Sequence, residues 1–599
     1  MTIADVVFDL PLRRPLSYAV PTDLKPVPGQ RVSAPLQGRP RTGMVVGLRE
    51  GDTKGLAVIQ GLVEPAPVLS KAMLDIGLWT AAEGLSSAGS TLAALTPPPP
   101  RRGGAEAVAA PPEPAPGAAE PPQVWMDARR AERLAEEAAR APGPVLVVAP
   151  DIEAAARWAE RLGAGRLDSG APEPARRAAW FGAMRGRPRV VVGTRSALLL
   201  PLPSPATVAL LDEQDAAHKP PGAPRLHSRE VLLERARREG SRLILLAGAP
   251  SAETWHAAQQ RAIRHDPTES SPAWPEIIPA DTRGILPNHP LTLPLTRALE
   301  EASRANARVA LVVSRDAAAL GCDECGEVIR CADCGVALGA SRVSAVLTCR
   351  LCGQTSPMPG ACPRCGGHRL SPFGWSPERV MTTLRKRFPR LTAARAGARA
   401  TGEGARWGRA QVLVGGPGLL RGLAPGSLSA VGFVALDGLL RVPDFRAGER
   451  AFQALWAAAE AVGPQGRVIV QTLHPDHYAI TAARARRREV FYEPELRFRA
   501  ELGYPPFRRL CLIGVRGRGV AEARGLLDEC AAMLRGIPGL NVYAPTPRGA
   551  GLGQRPSWRM LVKGPHTLPR LLDEPLRSLL ERRRRSAGII DVEMDPTSL

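Results

Sequence analysis

The stretch V-A-L-L-D-E-Q-D, residues 208–215, decides the fold class of this 599-residue chain. Four apolar residues of strand length run directly into acidic ones, and a helical pattern follows. Similar apolar strands stand at 144–149, 190–192 and 243–247, each followed by a helical pattern. Alternation of short strands and helices is typical of a parallel sheet. Residues 123–285 are therefore predicted to form an α/β lobe.

A second alternating region follows the first. It begins with a strand at 308–313, is interrupted by a cysteine-rich insertion, and resumes with strands at 411–414, 430–436 and 467–471. Because an insertion of that size between two strands can fold by itself, we treat it as a separate module. Residues 286–477 are predicted to form a second α/β lobe around it.

The two ends of the chain predict smaller domains. Residues 1–96 read as short strands with turns, followed by an apolar helical stretch at 69–92, which indicates a β-rich domain. Residues 97–122 contain ten prolines and predict a linker, because that composition cannot bury a core. Residues 478–599 predict an α+β domain. The predicted fold class is therefore α/β multidomain.

The charge of the chain favours an anionic partner. Lys and Arg number 79 against 58 Asp and Glu, which gives a net charge of +21. Nucleic acid is the leading partner class. Only six of the cations are lysines, so a GC-rich coding sequence would also produce this excess. Without a basic, apolar leader or a long apolar run, the sequence predicts a cytoplasmic protein that does not cross a membrane.

Eight of the ten cysteines form four C-x-x-C pairs, a spacing that aims two thiolates at one tetrahedral metal. Fourteen residues separate the second pair from the third, close to the usual zinc-ribbon spacing, whereas only five separate the first from the second. We therefore predict a double zinc module at 321–366 with two nested sites. The outer site would use Cys322, Cys325, Cys362 and Cys365, and the inner site Cys331, Cys334, Cys349 and Cys352. Structural disulfides or redox dithiols are the alternatives.

An ordered set of motifs resembles one known family, the replication restart helicases of the PriA type. The motifs are V-V-V-G-T-R-S-A-L (190–198), L-D-E-Q-D-A-A-H-K (211–219), R-L-H-S-R-E (225–230), A-G-A-P-S-A-E-T (247–254), P-D-F-R-A-G-E-R-A-F-Q (443–453), Q-T-L-H-P-D-H (471–477), L-G-Y-P-P-F (502–507) and D-V-E-M-D-P (591–596). The four cysteine pairs also stand where that family places its zinc module. The resemblance implies two RecA-like lobes of the superfamily 2 helicase type and a 3′-end-binding domain at 1–96.

The motor of that family is degenerate in this chain. A phosphate-binding loop needs G-x-x-x-x-G-K-[ST], yet no lysine here follows a glycine. At that place the chain reads V-W-M-D-A-R-R-A-E-R, which indicates ordinary helix. The acidic pair Asp212 and Glu213 is kept, either as the remnant of a nucleotide site or as a cap at a helix start. We predict that ATPase activity is lost and that the chain has no catalytic residues.

Candidate DNA contacts are arginines and aromatics in three parts of the chain. In the N-terminal domain they are Arg14, Tyr18, Arg31, Arg39 and Arg41; in the first lobe Arg195; and towards the C-terminus Arg487, Arg488, Trp558 and Arg559. The family's F-D-Y triplet reads Leu16, Ser17 and Tyr18 here, and a family lysine reads Leu56, which weakens the implied recognition of a 3′ end.

The resemblance implies a replication restart protein that binds abandoned forks and works with primosome and replicative helicase-loading proteins. Here it would do so with two zinc ions and without a motor of its own. Two alternatives stay open. One is an active ATP-dependent 3′ to 5′ helicase, and the other is an adaptor that uses the zinc module for protein contacts and binds DNA non-specifically.

Overall fold

The computed structural model describes the whole chain except residues 13, 101–110, 113–119, 267–273, 284–289, 314–318, 323, 326, 333–334, 336, 341–345, 350–353, 374, 397–406, 443, 517–519, 549–556 and 583–588. The chain divides into two compact units. The first contains Met1–Glu269, Pro565–Glu581 and Val592–Thr597. The second contains Ser270–Gly564, Arg582–Asp591 and Ser598–Leu599.

The N-terminal part of the first unit is a five-stranded antiparallel sheet followed by two helices. Its elements are β1 Thr2–Phe8, β2 Leu16–Ala19, β3 Arg31–Leu36, β4 Arg39–Glu50, β5 Gly61–Leu62, α1 Lys71–Glu83 and α2 Ala88–Leu95. The strand order is β2-β1-β4-β3-β5. The Ser70 and Ser87 hydroxyls accept hydrogen bonds from backbone N–H groups in the first turns of α1 and α2. The predicted β-rich domain closed by helices is therefore observed.

A seven-stranded parallel sheet forms the rest of this unit's core. Its elements are β6 Gln123–Trp125, α3 Arg130–Arg140, β7 Val145–Val148, α4 Ile152–Leu162, β8 Gly165–Leu167, α5 Glu173–Ala183, β9 Val190–Gly193, β10 Thr207–Leu210, α6 Ser228–Glu239, β11 Arg242–Leu246, α7 Ala252–Gln259 and β12 Arg264–His265. The order is β12-β6-β11-β10-β7-β9-β8, and every neighbouring pair is parallel. The predicted parallel α/β lobe is confirmed.

The N-terminal helices share a hydrophobic core with this sheet. Met73 and Leu92 belong to the same buried cluster as Trp180 and Leu199. Gly77 in α1 allows the close approach, because a Cβ there would lie 2.5 Å from Leu92 Cδ2 and 3.0 Å from Leu199 Cδ1. The N-terminal domain and the first lobe therefore fold as one compact unit.

The second unit contains a six-stranded parallel sheet. Its elements are β13 Glu276–Asp281, α8 Leu293–Ala305, β14 Val309–Val312, α9 Pro377–Arg387, β20 Ala393–Arg395, β21 Val412–Gly415, β22 Ala430–Phe433, α10 Asp437–Leu440, α11 Ala447–Val462 and β23 Arg467–Thr472. The order is β13-β23-β22-β14-β21-β20. Between β14 and α9 the cysteine-rich insertion forms an antiparallel sheet in the order β18-β17-β16-β15-β19, from β15 Ala319–Cys322, β16 Gly339–Ala340, β17 Val346–Thr348, β18 Thr355–Pro357 and β19 Leu370–Phe373.

The C-terminal part combines helices with a third antiparallel sheet. Its elements are α12 Tyr478–Ala485, α13 Arg488–Leu502, β24 Arg509–Arg516, α14 Val520–Arg535, β25 Asn541–Val542, β26 Thr546–Arg548, β27 Ser557–Gly564, α15 Leu568–Arg582 and β28 Ile589–Met594. Strand β27 pairs with β24, β25 and β26. The last strand contributes residues to both units. Among the described residues, every helix is too short or too polar to span a membrane.

Candidate functional site

The outer set of cysteines comes together in the cysteine-rich sheet. Pairing of Cys322 with Leu370 across β15 and β19 brings the first and last C-x-x-C pairs close to each other. Cys322 Sγ lies 3.6 Å from Cys365 Sγ, and Cys325 Sγ lies 3.7 Å from Cys362 Sγ. All four sulfur atoms lie within 4.8 Å of one another. A tetrahedron of thiolates around Zn²⁺, with Zn–S bonds of about 2.3 Å, needs S···S separations of about 3.8 Å, so this donor set fits such an ion.

Backbone hydrogen bonds hold each of these two cysteine turns. Cys322 N–H donates to Glu327 O and Cys362 N–H donates to Gly367 O, both at 2.8 Å. The backbone N–H of Cys365 lowers the pKa of the Cys362 thiol to about 7, whereas hydrogen bonds among the thiols outweigh the backbone N–H of Gly367 and raise the pKa of Cys365. The structure therefore contains a four-cysteine cluster able to bind a metal ion.

The inner set lies only partly within the described residues. Cys331 and Cys349 are buried together in an apolar cluster with Leu320, Leu338 and Leu347. Cys334 and Cys352 lie outside the described part of the chain. The second metal site stays a prediction.

The carboxyl ends of the first parallel sheet hold the residues that the sequence suggested as a nucleotide site. Glu213 follows β10 and is fully buried. Its Oε2 accepts from Arg229 Nη1 at 3.0 Å and from Ser251 Oγ at 3.1 Å, and its Oε1 accepts from Ser251 N–H at 2.6 Å. Burial lowers the pKa of Arg229, but Glu230, Glu213 and Glu253 together raise it above the ordinary value. This carboxylate is thus neutralised inside the protein.

The helix-cap alternative therefore does not describe Glu213. The residue that caps the following 3-10 helix, Ala216–His218, is Asp215, whose Oδ1 accepts from Ala217 N–H at 2.8 Å. Asp212 is half-buried, with a φ of +47°. Arg229 and Ser251 were not predicted as site residues, although they lie in the motifs R-L-H-S-R-E and A-G-A-P-S-A-E-T. Nothing in the spacing of these motifs shows that α6 and α7 converge on β10.

In the family that the sequence resembles, a phosphate-binding loop is expected between β6 and α3. Here that segment contains the carboxylate of Asp127. Asp127 accepts from the backbone N–H of Arg129 at 2.9 Å, just before α3 begins, and forms an ion pair with Arg133. Arg133 also pairs with Asp266 and lies 4.1 Å above the Trp125 ring. Arg133 thus neutralises the carboxylate that lies just before α3. A phosphate bound there would compete with Asp127 for this arginine.

Two of the predicted DNA contacts in the N-terminal domain are buried and form contacts within the protein. Arg31 forms an ion pair with Glu64 at 3.0 Å and donates to Thr96 Oγ1 at 2.9 Å, and burial lowers its pKa. Tyr18 is buried, and its hydroxyl donates to Pro35 O at 3.0 Å. These contacts make both side chains inaccessible to DNA, so we correct their assignment as contact residues.

The other predicted DNA contacts of the N-terminal domain are exposed. Arg39 and Arg41 lie at the start of β4, two residues apart and hence on one face of the strand. The preceding turn residues Gln37 and Gly38 both have positive φ, which suits the tight hairpin that carries these arginines. Arg14 is exposed in the loop between β1 and β2. Of these, Arg39 and Arg41 are available to a partner.

Arginines at the turn between α12 and α13 lie on tryptophan rings. Arg488 lies 4.2 Å above Trp456, and Arg486 lies 5.1 Å above Trp274. The two rings are in contact, with centroids 4.8 Å apart, and Trp274 Nε1 donates to Ala483 O at 2.8 Å. Arg487 between them is exposed and pairs with Glu489 at 2.6 Å. The basic run was visible in the sequence, whereas its aromatic support comes from distant segments.

The other predicted contacts are dispersed. Arg195 is exposed directly after β9, at the carboxyl edge of the first sheet. Trp558 and Arg559 are half-buried in β27, and Arg524 lies 5.1 Å above the Trp558 ring. Within the first unit, Arg225 donates to Val592 O at 2.8 Å and Lys219 donates to Asp595 O at 2.6 Å. These two cations hold the C-terminal D-V-E-M-D-P segment.

Two parallel α/β lobes, the second with a cysteine-rich sheet inserted between its strands, define the class as multidomain α/β proteins. Comparison with known proteins makes this more specific. A family model described as the 3′ DNA-binding domain (3′BD) of PriA matches residues 5–97, and one described as the primosomal protein N C-terminal domain matches residues 500–597. Both ends of the chain are thus similar to the terminal domains of PriA proteins.

Several curated relatives carry the name replication restart protein PriA. The Synechocystis protein is 29% identical over 76% of this chain and 59% of its own length. The Bacillus subtilis protein is 27% identical over 70% and 55%, and the Haemophilus influenzae protein 27% over 78% and 67%. The chain thus spans about three-fifths of the length of the relatives it matches. Among solved structures, RecG bound to a three-way DNA junction aligns with 59% of this chain and 39% of its own, at 10% identity and a TM-score of 0.32, a likeness too weak to add to the assignment.

Proposed function

We propose that this chain is a replication restart protein that binds branched DNA, such as a stalled fork, and promotes assembly of the primosome and loading of the replicative helicase. The observation that carries this proposal is the retention of both terminal PriA domains, with Arg39 and Arg41 exposed in the first of them. A net charge of +21 supports contact with the phosphate backbone. We infer a cytoplasmic location, where closely spaced thiols stay reduced and bind metal.

We further propose that the chain acts without hydrolysing ATP. The support is local. No lysine follows a glycine in the sequence, and Asp127, just before α3, is paired with Arg133. Glu213 is bound by Arg229 and Ser251. The chain would then act as a platform that recognises the fork and recruits other proteins. We also propose two zinc ions, one in each set of four cysteines, with a role in holding the module.

Fork binding should depend on the two exposed hairpin arginines. In a fluorescence anisotropy titration over a salt series, the wild type is expected to bind a model fork more tightly than duplex of equal length. The double variant Arg39→Ala/Arg41→Ala should weaken fork binding and lower the salt slope by about 2, since each lost phosphate contact removes about 1. Arg237→Ala is the matched control, because Arg237 is exposed on α6 and pairs with Glu234. Equal affinity of the wild type for fork and duplex would contradict structure-specific recognition.

ATP turnover should be absent. Phosphate release by the full chain with Mg-ATP is expected to stay at the buffer rate, with or without fork DNA, because the sequence lacks the lysine of a phosphate-binding loop. Asp212→Asn should leave the trace unchanged, since Asp212 would have no metal-bound nucleotide to serve. DNA-stimulated release in the wild type that Asp212→Asn abolishes would show that the chain is an active motor.

A further inference from the structure

Exposed cations are gathered at the edge of the six-stranded sheet where its parallel strands begin. The segments 305–308, 388–392 and 407–411 lead into β14, β20 and β21, which are neighbours in that sheet. These segments and the last turn of α9 contain no Asp or Glu. The cations that they contain are all exposed, and we call them the amino-edge patch: Arg308, Arg385, Lys386, Arg387, Arg390 and Arg409.

Hydrogen bonds connect the three segments to one another. The Thr392 hydroxyl donates to Arg409 O at 2.8 Å, and Gln411 N–H donates to Thr392 O at 2.8 Å. Gln411 Nε2 donates to Asn306 Oδ1 at 2.7 Å, which brings in the segment before β14. The cations of the patch therefore belong to one ordered surface, and this order lowers the entropic cost of binding a partner.

The fold explains only part of this charge. Cations in the last turn of a helix are stabilised by the helix dipole, which accounts for Arg385, Lys386 and Arg387 in α9. Arg390 and Arg409 lie in turns, and within the described residues neither has an ion-pair partner. Like charges on one surface repel each other and destabilise the folded chain. An anionic partner would relieve this repulsion.

The lack of exposed rings favours duplex DNA over a single strand as that partner. Phe388 and Trp407 adjoin the patch but are only 8% and 1% exposed, so bases would find no ring on which to stack. A duplex needs no stacking surface, because it presents about one phosphate charge per 1.7 Å of its axis. Three adjacent strands at about 4.8 Å spacing span about 10 Å, so the patch is wide enough to face several phosphates.

We propose that the amino-edge patch binds the phosphate backbone of a duplex arm of DNA. The inference rests on the proposed function and deepens it, because a stalled fork has duplex arms beside its branch point. It assigns residues that the sequence analysis did not select as DNA contacts. Arg39 and Arg41 belong to the other compact unit, so the two surfaces can be altered independently.

The test measures binding of the full chain to a blunt duplex and to a model fork, by fluorescence anisotropy over a salt series. Arg390→Gln/Arg409→Gln should weaken binding to both probes about tenfold and lower the salt slope by about 2, since each lost phosphate contact removes about 1. Arg390→Glu/Arg409→Glu should weaken binding further, because it places carboxylates against phosphates. Hydroxyl-radical footprinting of the fork should show protection of a duplex arm by the wild type that the Gln variant loses.

The matched control is Arg283→Gln/Arg395→Gln. It removes the same charge from the same sheet, but at the opposite edge, where these exposed arginines pair with Asp281 and Glu378. Affinity and salt slope of this control should equal those of the wild type. Melting curves of all variants should also match the wild type, since every altered side chain is exposed.

The outcomes separate this inference from the proposed function. Loss of duplex and fork affinity in the Gln variant, with the control unchanged, supports the patch. Wild-type affinity and slope in Arg390→Gln/Arg409→Gln overturn it and point to an acidic protein as the partner of this edge, while a persisting preference for fork over duplex leaves the proposed function standing. An equal loss in the control also overturns the patch, because bulk charge alone would then explain binding. A wild type that binds neither probe overturns both.

Discussion

Replacing Cys362 with Ser is expected to remove about one zinc ion per chain from a wild type that holds two. Cys362 is buried, its sulfur lies 3.7 Å from that of Cys325, and a hydroxyl at its position is a poor ligand for Zn²⁺. Structural zinc contributes about 10–16 kcal/mol in small zinc domains. Since the described module has only short strands and a small apolar cluster, loss of the ion should leave it unfolded locally.

Metal analysis of the purified protein measures the zinc content, and limited proteolysis measures the folding of the module. Cys530→Ala is the matched control, because Cys530 is also a buried thiol but lies in α14, outside the module. It should retain two zinc ions and protease resistance at 321–366. A wild type with a single zinc would eliminate the two-site proposal, and a Cys362→Ser protein that keeps its full zinc content would eliminate the outer cluster as a site.

The second large effect is expected at a network of buried ion pairs around Arg499 in α13. Arg499 is fully buried and pairs with Glu449 at 2.9 Å and with Glu495 at 2.8 Å. Tyr478 donates its hydroxyl to Glu495 Oε2 at 2.8 Å. Burial raises the pKa of Glu495, and Glu449 raises it further, while Arg499 opposes both. Arg499 thus compensates the carboxylate of Glu495 and shares Glu449 with Arg446.

Arg499→Ala should therefore destabilise this region by about 3–5 kcal/mol, because it leaves the buried carboxylate of Glu495 uncompensated, while Glu449 keeps only its pair with Arg446. Hydrogen-exchange mass spectrometry of peptides from α11 and α13 should show exchange about a hundredfold faster or more. The control is Arg497→Ala, an exposed arginine on the same helix, which should change exchange little. Protection of α13 equal to wild type in Arg499→Ala would show that the carboxylates take up protons at little cost.

Prediction from the sequence succeeded where a pattern repeats locally. Strands at 144–149, 190–192, 208–211 and 243–247 correspond to β7, β9, β10 and β11 within a residue or two. The strands of the two parallel sheets that it missed, β6, β8, β12, β13 and β20, are short or lie at or near sheet edges, where fewer apolar residues are needed. Their assignment depends on hydrogen bonding to a neighbouring strand, which a single-sequence pattern does not reveal.

The candidate site residues also divide into those that the sequence grouped correctly and those that only the structure could sort. The spacing of C-x-x-C pairs suggested the grouping Cys322, Cys325, Cys362 and Cys365, and the structure brings those four sulfur atoms together. The arginines could not be sorted from the sequence. Arg31 and Arg39 are both arginines of the N-terminal sheet, yet one is buried against Glu64 and the other is exposed. The difference depends on which face of a strand meets the core.

By itself, the sequence determined the parallel α/β lobes, the spacing of the C-x-x-C pairs and the absence of any lysine that follows a glycine, because each is encoded in the identity and local spacing of residues. Only the tertiary structure decided which charges are available to a partner. The buried guanidinium groups of Arg31, Arg229 and Arg499 are each paired with a carboxylate that the fold brings to them, from Glu64, Glu213 and Glu449 respectively. The side chains of Arg39, Arg41 and Arg487 reach solvent. The physical reason is that the cost of burying a charge depends on partners supplied by the fold.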